Sequence, residues 1–360
     1  MRRVKLTHSQ LIVLAFIGLI LSGCQQQEQI TTTRFMAFGT LIDLTISGVS
    51  KEQANQATAA IEKDFAQMHK SWHAWDPGPL GRVNRLISQG ESFATPPSVL
   101  ELIKQGAEIS IKSDHLFNPA IGHLIDAWGF HRDDPAGHRP PEPKNIEQLL
   151  LQKPRMSDLK LNGITLHSSN PHVKLDFGAF GKGFGIDLAI NHLRQLGIEN
   201  AIINAGGDLR AIGSPQGRPW KIAIRHPSGQ GVLAGLEISG DESVFTSGDY
   251  ERNFNWKGKR YHHIIDPRTG YPAVGTKSVT VIHPDAATAD AAATALFVAG
   301  PDNWYNIAQK MGIEYVLLID SQDRAHMNPA MRKRLKLETE QYEIHLSPVL
   351  MNNTKANPQN

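Results

Sequence analysis

The feature that most constrains this chain is a glycine-rich segment between a predicted strand, Val173 to Phe177, and a predicted helix, Ile186 to Leu196. Four glycines lie within eight positions, at Gly178, Gly181, Gly183 and Gly185. Glycines at such a junction let backbone amides approach a ligand closely, and the free N–H groups of the following helix attract anions. Lys182 adds a positive charge, so the segment is typical of a phosphate site.

The spacing of these glycines excludes two common nucleotide motifs. A P-loop needs G-x-x-x-x-G-K-[ST], and a dinucleotide fingerprint needs G-x-G-x-x-G, whereas the order here is G-x-G-x-G. The spacing therefore argues against a Rossmann oxidoreductase. A tight turn that needs glycine for packing explains the spacing as well as a ligand site does.

Three further segments place polar side chains at predicted turns. Asn204–Asp208 (NAGGD) follows an apolar strand, and by itself it is more typical of a strand-end turn than of a site. Thr246–Arg252 carries six polar or ionisable side chains around one glycine. His263–Gly270 puts a histidine, an aspartate and an arginine around a proline-bounded turn. A lone histidine is more often structural, but His263 has other candidates beside it.

A predicted alanine-rich helix, Asp285 to Val298, carries a candidate metal site. Asp290 and Thr294 are four residues apart, so they lie on one face of the helix. A carboxylate and a hydroxyl are oxygen ligands of the kind that Mg²⁺ accepts together with water and phosphate groups. Taken alone, this pair is more typical of an aspartate that caps or solvates the helix than of a metal site.

The remaining elements favour an α+β fold. We predict a strand over 34–46 with a break at Gly39-Thr40, helices over 50–72 and 97–113, and an exposed loop over 131–144. Further strands are predicted over 201–204, 278–282 and 314–320. Strands and helices mix without a steady βαβ rhythm, so mixed sheets with packed helices are expected rather than a doubly wound sheet.

Composition excludes several classes of partner and site. The net charge is +2, from 37 basic and 35 acidic residues, and no basic stripe lies beyond the N-terminus, so nucleic acid is not an expected partner. Cys24 is the single cysteine of the chain. An internal disulfide and a multi-cysteine metal site are therefore impossible.

The N-terminus predicts a lipoprotein. A basic start and the apolar run Leu11–Leu21 precede Leu21-Ser22-Gly23-Cys24, which resembles a bacterial lipobox. We expect residues 1–23 to be a signal peptide, Cys24 to carry lipid, and 24–33 to be a tether. The domain is expected over 34–346, followed by a disordered tail over 347–360. This predicts a protein anchored in the inner membrane and facing the periplasm.

Taken together, these segments resemble the ApbE family of FAD:protein FMN transferases, over about residues 34–345. The resemblance rests on the five segments in their order: the glycine segment with Asp176, Asn204–Asp208, Thr246–Tyr250, His263–Gly270 and Asp290–Thr294. It implies an α+β fold with the flavin in a cleft between two halves. It also implies FAD contacts at Met36, Trp75, Leu116, Phe117, Asn118, Asp176, Lys182 and Ile264.

The same resemblance implies the catalytic and metal residues. The backbone carbonyl of Ala179 and the side chains of Asp290 and Thr294 match the family's metal site, and His263 matches its proton acceptor. The loop Trp72–Pro79 departs from the family's commoner Tyr-x-Pro-Asp-Ser pattern, so the ring that stacks on the flavin is open. Phe180 and Gly181 replace the usual Ile and Ala.

The predicted reaction transfers the FMN half of FAD to a Ser or Thr hydroxyl of a client protein from a membrane redox complex, with release of AMP. Mg²⁺ would neutralise charge on the pyrophosphate, and His263 or a nearby carboxylate such as Asp249 would take the proton. Mn²⁺ is equally compatible with oxygen ligands. Two alternatives stay open: a Mg²⁺-dependent FAD pyrophosphatase, and a flavin-binding lipoprotein without catalysis.

Overall fold

The computed structural model describes residues 29–132, 137–228, 230–338 and 342–350. Within them the helices are α1 (Lys51–Trp72), α2 (Pro79–Gln89), α3 (Pro97–Lys112), α4 (Gly122–Trp128), α5 (Pro143–Leu151), α6 (Gly181–Gln195), α7 (Ala286–Ala299), α8 (Trp304–Met311) and α9 (Pro329–Arg334). The strands are β1 (Ile30–Ala37), β2 (Thr40–Ser47), β3 (Phe93–Ala94), β4 (Leu159–Asn162), β5 (Thr165–Ser168), β6 (Asn200–Ala205), β7 (Asp208–Ile212), β8 (Trp220–Arg225), β9 (Val232–Ile238), β10 (Glu242–Gly248), β11 (Asn253–Trp256), β12 (Lys259–His262), β13 (Thr276–His283), β14 (Tyr315–Asp320), β15 (Arg324–Met327), β16 (Lys336–Leu337) and β17 (Glu343–Leu346).

A nine-stranded sheet among the described residues organises the fold, in the order β1-β2-β6-β7-β10-β13-β14-β15-β17. Its strands pair antiparallel except β15 with β17. Because of these registers, the turn Phe38–Gly39, the turn Gly206–Gly207, the end of β10 and the start of β13 all lie at one end of the sheet. We call this the site end. Three smaller sheets, β11-β12, β16-β9-β8 and β3-β5-β4, complete the α+β architecture that the sequence predicts.

Helix α7 is the buried centre of the molecule. It packs against β10, β13 and α6, and its alanines are buried on nearly every side. A helix that is apolar all round suits such a position, since every face meets protein rather than water. Asp285 caps its N-terminus by accepting a hydrogen bond from the Thr288 amide. Small side chains let α6 approach closely, because a Cβ at Gly183 would overlap the Ala286 carbonyl.

Two local predictions were wrong. No strand covers 173–177: the segment makes a single isolated bridge, Ile121 to Lys174, and Asp176 N–H donates to the Pro119 carbonyl. These bonds hold it beside 119–121, but they are too few for a strand ladder. Helix α6 begins at Gly181 rather than at 186, so three of the four glycines lie at the start of the helix and not in a loop before it.

The boundaries predicted for the tether and tail differ from the ordered elements. Strand β1 begins at Ile30, inside the predicted tether, and pairs with β2 from its first residue. At the other end Leu350 is buried in the main core, although it lies within the predicted tail. The signal peptide, Cys24 and residues 351–360 lie outside the described residues. Among the described helices, none combines the length and the apolar character that crossing a membrane requires.

Candidate functional site

The start of α6 leaves a backbone carbonyl free next to a buried carboxylate. In a regular α-helix the amide of Gly183 would donate to the carbonyl of Ala179. Here it donates instead to Asp290 Oδ2, at 2.9 Å, across the contact between α6 and α7. Within the described residues, no hydrogen bond reaches the Ala179 carbonyl oxygen. That oxygen is therefore available to a cation or to water beside Asp290.

Lys182, Asp208 and Asp290 form what we call the carboxylate–lysine cluster. Lys182 Nζ lies 2.6 Å from Asp208 Oδ2 and 3.8 Å from Asp290 Oδ1. Both aspartates are almost fully buried, and the lysine side chain is about one quarter exposed. Asp208 Oδ1 also accepts a hydrogen bond from the Thr246 amide at 2.9 Å. The cluster thus joins α6, α7, β7 and β10 at the site end.

The environment of this cluster shifts the pKa values of Lys182 and Asp290. Burial raises the pKa of Asp290 above its ordinary value, and Lys182 opposes that shift. Burial alone would lower the pKa of Lys182, but the carboxylates of Asp208 and Asp290 raise it overall. The lysine is therefore charged at neutral pH. A protonated amine at this position can bind a phosphate group.

Four hydroxyls on β10, β13 and α7 form two hydrogen-bonded pairs near the cluster. Thr294 Oγ1 lies 3.2 Å from Ser247 Oγ, and Thr246 Oγ1 lies 2.9 Å from Thr280 Oγ1. Thr294 is on the same face of α7 as Asp290, as the four-residue spacing predicts. No group of three or more His, Cys, Asp or Glu side chains that could hold a metal occurs in the described ranges. The Ala179 carbonyl, the Asp290 carboxylate and the Thr294 hydroxyl lie outside that definition, because they include only one such side chain. Three oxygen donors suit a hard cation that keeps water or phosphate as its other ligands.

A second group of side chains surrounds Trp75, and we call it the aromatic wall. The indole Nε1 donates to Asp176 Oδ2 at 3.1 Å, while Asp176 Oδ1 accepts from the Gly178 amide at 2.8 Å. Lys174 Nζ lies 3.8 Å from the centre of the indole ring, and the His131 ring lies 4.6 Å from it. Asp176 therefore links Trp75 to the glycine segment. Lys174 and His131 pack on the ring and limit the area that a flavin could cover.

The predicted contact segment at 116–118 is largely internal. Leu116 and Phe117 are buried, and the Phe117 ring packs 5.8 Å from that of Phe180. Asn118 donates to the Pro154 carbonyl and accepts from the Ala120 amide. The segment also supports Asp176, whose amide donates to the carbonyl of Pro119, the residue after Asn118. A ligand contact by Leu116 or Phe117 would have to use the backbone.

His263 presents one free ring nitrogen. Its Nδ1 lies 3.2 Å from the Arg252 carbonyl, and because a carbonyl only accepts, Nδ1 carries the proton. Nε2 is then an unprotonated acceptor, and the described residues supply it with no hydrogen-bond donor. Burial and the Arg252 guanidinium lower the pKa of His263 to about 3. The imidazole is therefore neutral at physiological pH, which is the form that can accept a proton.

Three predicted residues stand apart from these contacts. Asp249 is held by Arg260, with Oδ2 2.5 Å from Nη2, and no hydrogen bond joins it to His263 among the described residues. Ile264 is buried, and its carbonyl accepts from the Ala273 amide. Met36 is 73% exposed at the site end, where its register partner Leu41 accepts from the Gly206 amide. Met36 is thus free to cover a ligand lying over the Gly206–Gly207 turn.

Asp208 and Ser247 lie in segments that the sequence singles out, and Arg260 lies three residues before such a segment. The sequence alone assigned none of the three a role. Asp208 follows two glycines with positive φ, +68° and +116°, at the end of a strand. A carboxylate directly after such a turn, beside a strand edge, was the available signal. Nothing local to Arg260 indicates that it pairs with Asp249.

The chain matches the family model described as the ApbE family over residues 38–317. The chain belongs to the ApbE family. Several solved ApbE structures share its fold. An ApbE protein from Thermotoga maritima superposes with a TM-score of 0.78 and 31% identity, over 85% of this chain and 99% of that one. The flavin transferase ApbE from Vibrio cholerae superposes at 0.74 with 26% identity, over 85% and 99%.

Curated relatives of this ApbE chain are named FAD:protein FMN transferase. The protein from Rhodobacter capsulatus is 43% identical over 306 residues, which are 84% of this chain and 58% of that longer protein. The protein from Haemophilus influenzae is 28% identical over 324 residues, 86% of this chain and 92% of that one. The chain thus spans less than two thirds of the first relative and most of the second.

Proposed function

We propose that this protein transfers the FMN moiety of FAD to a hydroxyl of a client protein and releases AMP. The observation that carries the proposal is the carboxylate–lysine cluster at the start of α6, beside the free Ala179 carbonyl. A cationic amine, a buried carboxylate and a backbone carbonyl without a partner among the described residues converge there. That combination suits a pyrophosphate with a divalent cation. The relatives are named for a protein acceptor, and the hydroxyl as the accepting group is part of this proposal.

The metal would be held by the Ala179 carbonyl, Asp290 and Thr294. The donor chemistry fits, since all three are oxygens and the Ala179 carbonyl lacks a partner in the described part of the chain. Mg²⁺ or Mn²⁺ bound there would neutralise charge on the pyrophosphate. Asp290 Oδ2 keeps its bond to the Gly183 amide, so Oδ1 is the oxygen that faces the site.

Lys182, through its ammonium group and its own backbone amide, would bind the phosphate oxygens, because the amides of Gly181, Gly183 and Phe184 already have acceptors. Lys182 is charged, fixed by Asp208 and still partly accessible. These groups are in position before the reaction, so they stabilise developing negative charge without reorganising. Asp176 and Trp75, with Met36 and the 116–118 backbone, would hold the rest of FAD. Ile264 would contact it through the segment next to His263.

On the acceptor side, His263 would take the proton from the client hydroxyl. Its Nε2 is unprotonated because Nδ1–H is committed to the Arg252 carbonyl. The hydroxyl oxygen forms a bond to the phosphorus of the FMN half as the bond to the AMP oxygen breaks. The proton passes to His263, and AMP leaves with the bridging oxygen. Asp249 is a weaker candidate for this role, since Arg260 already occupies its carboxylate.

A Mg²⁺-dependent FAD pyrophosphatase is the second candidate. Water would replace the client hydroxyl at the same phosphorus and yield FMN and AMP. The unprotonated Nε2 of His263 would serve water as well as a hydroxyl. A binding protein without catalysis would have no use for that nitrogen or for the Asp290 oxygen beside Lys182.

The cellular setting is part of the proposal. Cys24 would carry lipid and anchor the protein to the inner membrane, facing the periplasm. Clients would be subunits of membrane redox complexes with a flavin-accepting Thr or Ser. Globomycin, which blocks cleavage of lipoprotein signals, should then leave an uncleaved precursor in cells, visible as a slower band on a blot. A soluble, cleaved protein in treated cells would contradict the anchor.

The nucleophile can be tested by following AMP. Purified protein is mixed with FAD and Mg²⁺, with and without a client domain that carries an accepting Thr. We expect AMP release to require the client, to stop when the client is exhausted, and to stop with EDTA. Continuous release of AMP and FMN without any client would establish the pyrophosphatase instead.

A further inference from the structure

Asp208 is a buried carboxylate that contacts neither the proposed metal ligands nor the acceptor histidine. It is 6% exposed and lies directly after the Gly206–Gly207 turn. Oδ1 accepts from the Thr246 amide at 2.9 Å, and Oδ2 lies 2.6 Å from Lys182 Nζ. The backbone of β10 therefore fixes the carboxylate, and the carboxylate fixes the lysine.

Lys182 lies between two carboxylates at unequal distances. Its Nζ is 2.6 Å from Asp208 but 3.8 Å from Asp290 Oδ1. Asp290 Oδ2 is already used by the Gly183 amide. Oδ1 is thus the Asp290 oxygen left for a cation, and the ammonium of Lys182 is the charge best placed to compete for it.

We propose that Asp208 is a positioning residue that holds Lys182 away from Asp290 and so keeps Asp290 Oδ1 available to a divalent cation. The inference rests on the proposed metal role of Asp290. Without the Asp208 charge, Lys182 would close the remaining gap to Asp290 and form a direct ion pair there. A cation would then have to displace the lysine before it could bind.

The expected size of this competition follows from Coulomb's law. Shortening a charge separation from 3.8 Å by about 1 Å, at an effective dielectric constant of about 20, corresponds to about tenfold in binding. Loss of the Asp208 charge would also weaken cation binding directly, whatever the lysine does. A double-mutant cycle separates the two effects, because the direct effect persists when the lysine is replaced.

The test measures Mn²⁺ binding from the EPR signal of the free ion, in parallel series with and without FAD. The proteins are wild type, Asp208→Asn, Lys182→Gln and the double variant. Asp114→Asn is the matched control, since it removes a carboxylate that pairs with Lys310 on the surface. We expect Asp208→Asn to weaken Mn²⁺ binding about tenfold more when Lys182 is present than in the background that already carries Lys182→Gln. The control should bind as wild type does.

An equal loss in both backgrounds would overturn the inference while leaving the metal site standing. Wild-type protein that binds no Mn²⁺ in either series would overturn the metal assignment together with the inference. Each variant is checked by its circular dichroism spectrum and melting temperature. If Asp208→Asn does not fold, Asp208→Ser removes the same charge with a smaller side chain and enters the same cycle.

Discussion

The carboxylate–lysine cluster and the acceptor side around His263 are built in different ways. The cluster is nearly buried, and its ion pairs and hydrogen bonds cross between two helices and two strands. His263 instead lies after the short β11-β12 hairpin, and within the described ranges its side chain makes one hydrogen bond, to the Arg252 carbonyl. Asp249 is tied to Arg260 and not to His263.

This difference suggests that the cluster binds the phosphates and the cation, while the His263 side receives the acceptor. Groups that hold phosphates and a cation must be in position before the reaction, so rigid elements supply them. The proposed acceptor side would have to admit a second protein, and His263 there keeps one ring nitrogen without a donor among the described residues. Substitutions in the two regions should therefore have different effects on activity and on stability.

Asp290→Ala should reduce metal-dependent transfer by roughly 1000-fold or more, as expected when a group that stabilises transition-state charge is lost. The fold should persist, because α7 is held by its alanine packing and by the Asp285 cap. Transfer rates in Mg²⁺ and the melting temperature measure the two properties. Full activity in Mg²⁺ would remove Asp290 from the metal site.

His263→Ala should slow transfer by at least about 100-fold while FAD binding, followed by fluorescence quenching, stays near wild type. Asp249→Asn is the matched comparison on the same side. It should cost less than about tenfold, since Arg260 already neutralises that carboxylate. If the two losses were reversed, Asp249 would be the proton acceptor. A His263→Ala protein that binds no FAD would make the histidine structural.

Gly183→Ala should destabilise the protein by about 1–3 kcal/mol, because the new Cβ would overlap the Ala286 carbonyl where α6 meets α7. Gly181→Ala is the matched control two residues earlier in the same helix. A Cβ there meets nothing within 4 Å, so its stability should be unchanged within about 0.5 kcal/mol. Urea unfolding measures both. Equal effects would mean that the contact between α6 and α7 is looser than described.

With saturating Mg²⁺ to keep Asp290 ionised, although burial raises its pKa to about 6, the pH profile should be nearly flat on its acidic side. His263 acts as a base only when neutral, and its pKa is lowered to about 3, so its active form is lost only as the pH falls toward that value. Transfer should therefore change by less than about twofold from pH 8 to pH 5.5. A histidine at the ordinary pKa of about 6.5 would lose about 90% of its base form by pH 5.5. That loss, measured in initial rates, would show that the imidazole is not shielded.

Much of this fold could be predicted from hydrophobic periodicity. The strand predicted over 34–46 with a break at Gly39-Thr40 is an antiparallel pair, β1 and β2. The helix predicted over 50–72 and the alanine-rich helix occur within one or two residues of the predicted bounds. The error at the glycine segment has a physical cause. Helix α6 begins early because an aspartate on another helix accepts its Gly183 amide, and no local signal carries that contact.

The sequence predicted which segments form the candidate site, but not most of the side-chain contacts between them. Asp290 and Thr294 could be paired in advance because helical spacing places them on one face. The partners of Lys182 and Asp249 could not, since Asp208 reaches Lys182 through the sheet register, and Arg260 reaches Asp249 through the β11-β12 hairpin. Likewise, the Trp75 loop departs from its family's pattern, and only the structure links the indole to Asp176.

The central claim is that the carboxylate–lysine cluster directs the FMN group onto a protein hydroxyl. Intact-mass spectrometry of a client domain tests it most directly, after incubation with FAD, Mg²⁺ and either wild type or Asp290→Ala. We expect the client to gain the mass of one FMN group with wild type. We expect no gain when EDTA is added or when Asp290→Ala replaces wild type. An unmodified client that is converted by a known FMN transferase under the same conditions would contradict it.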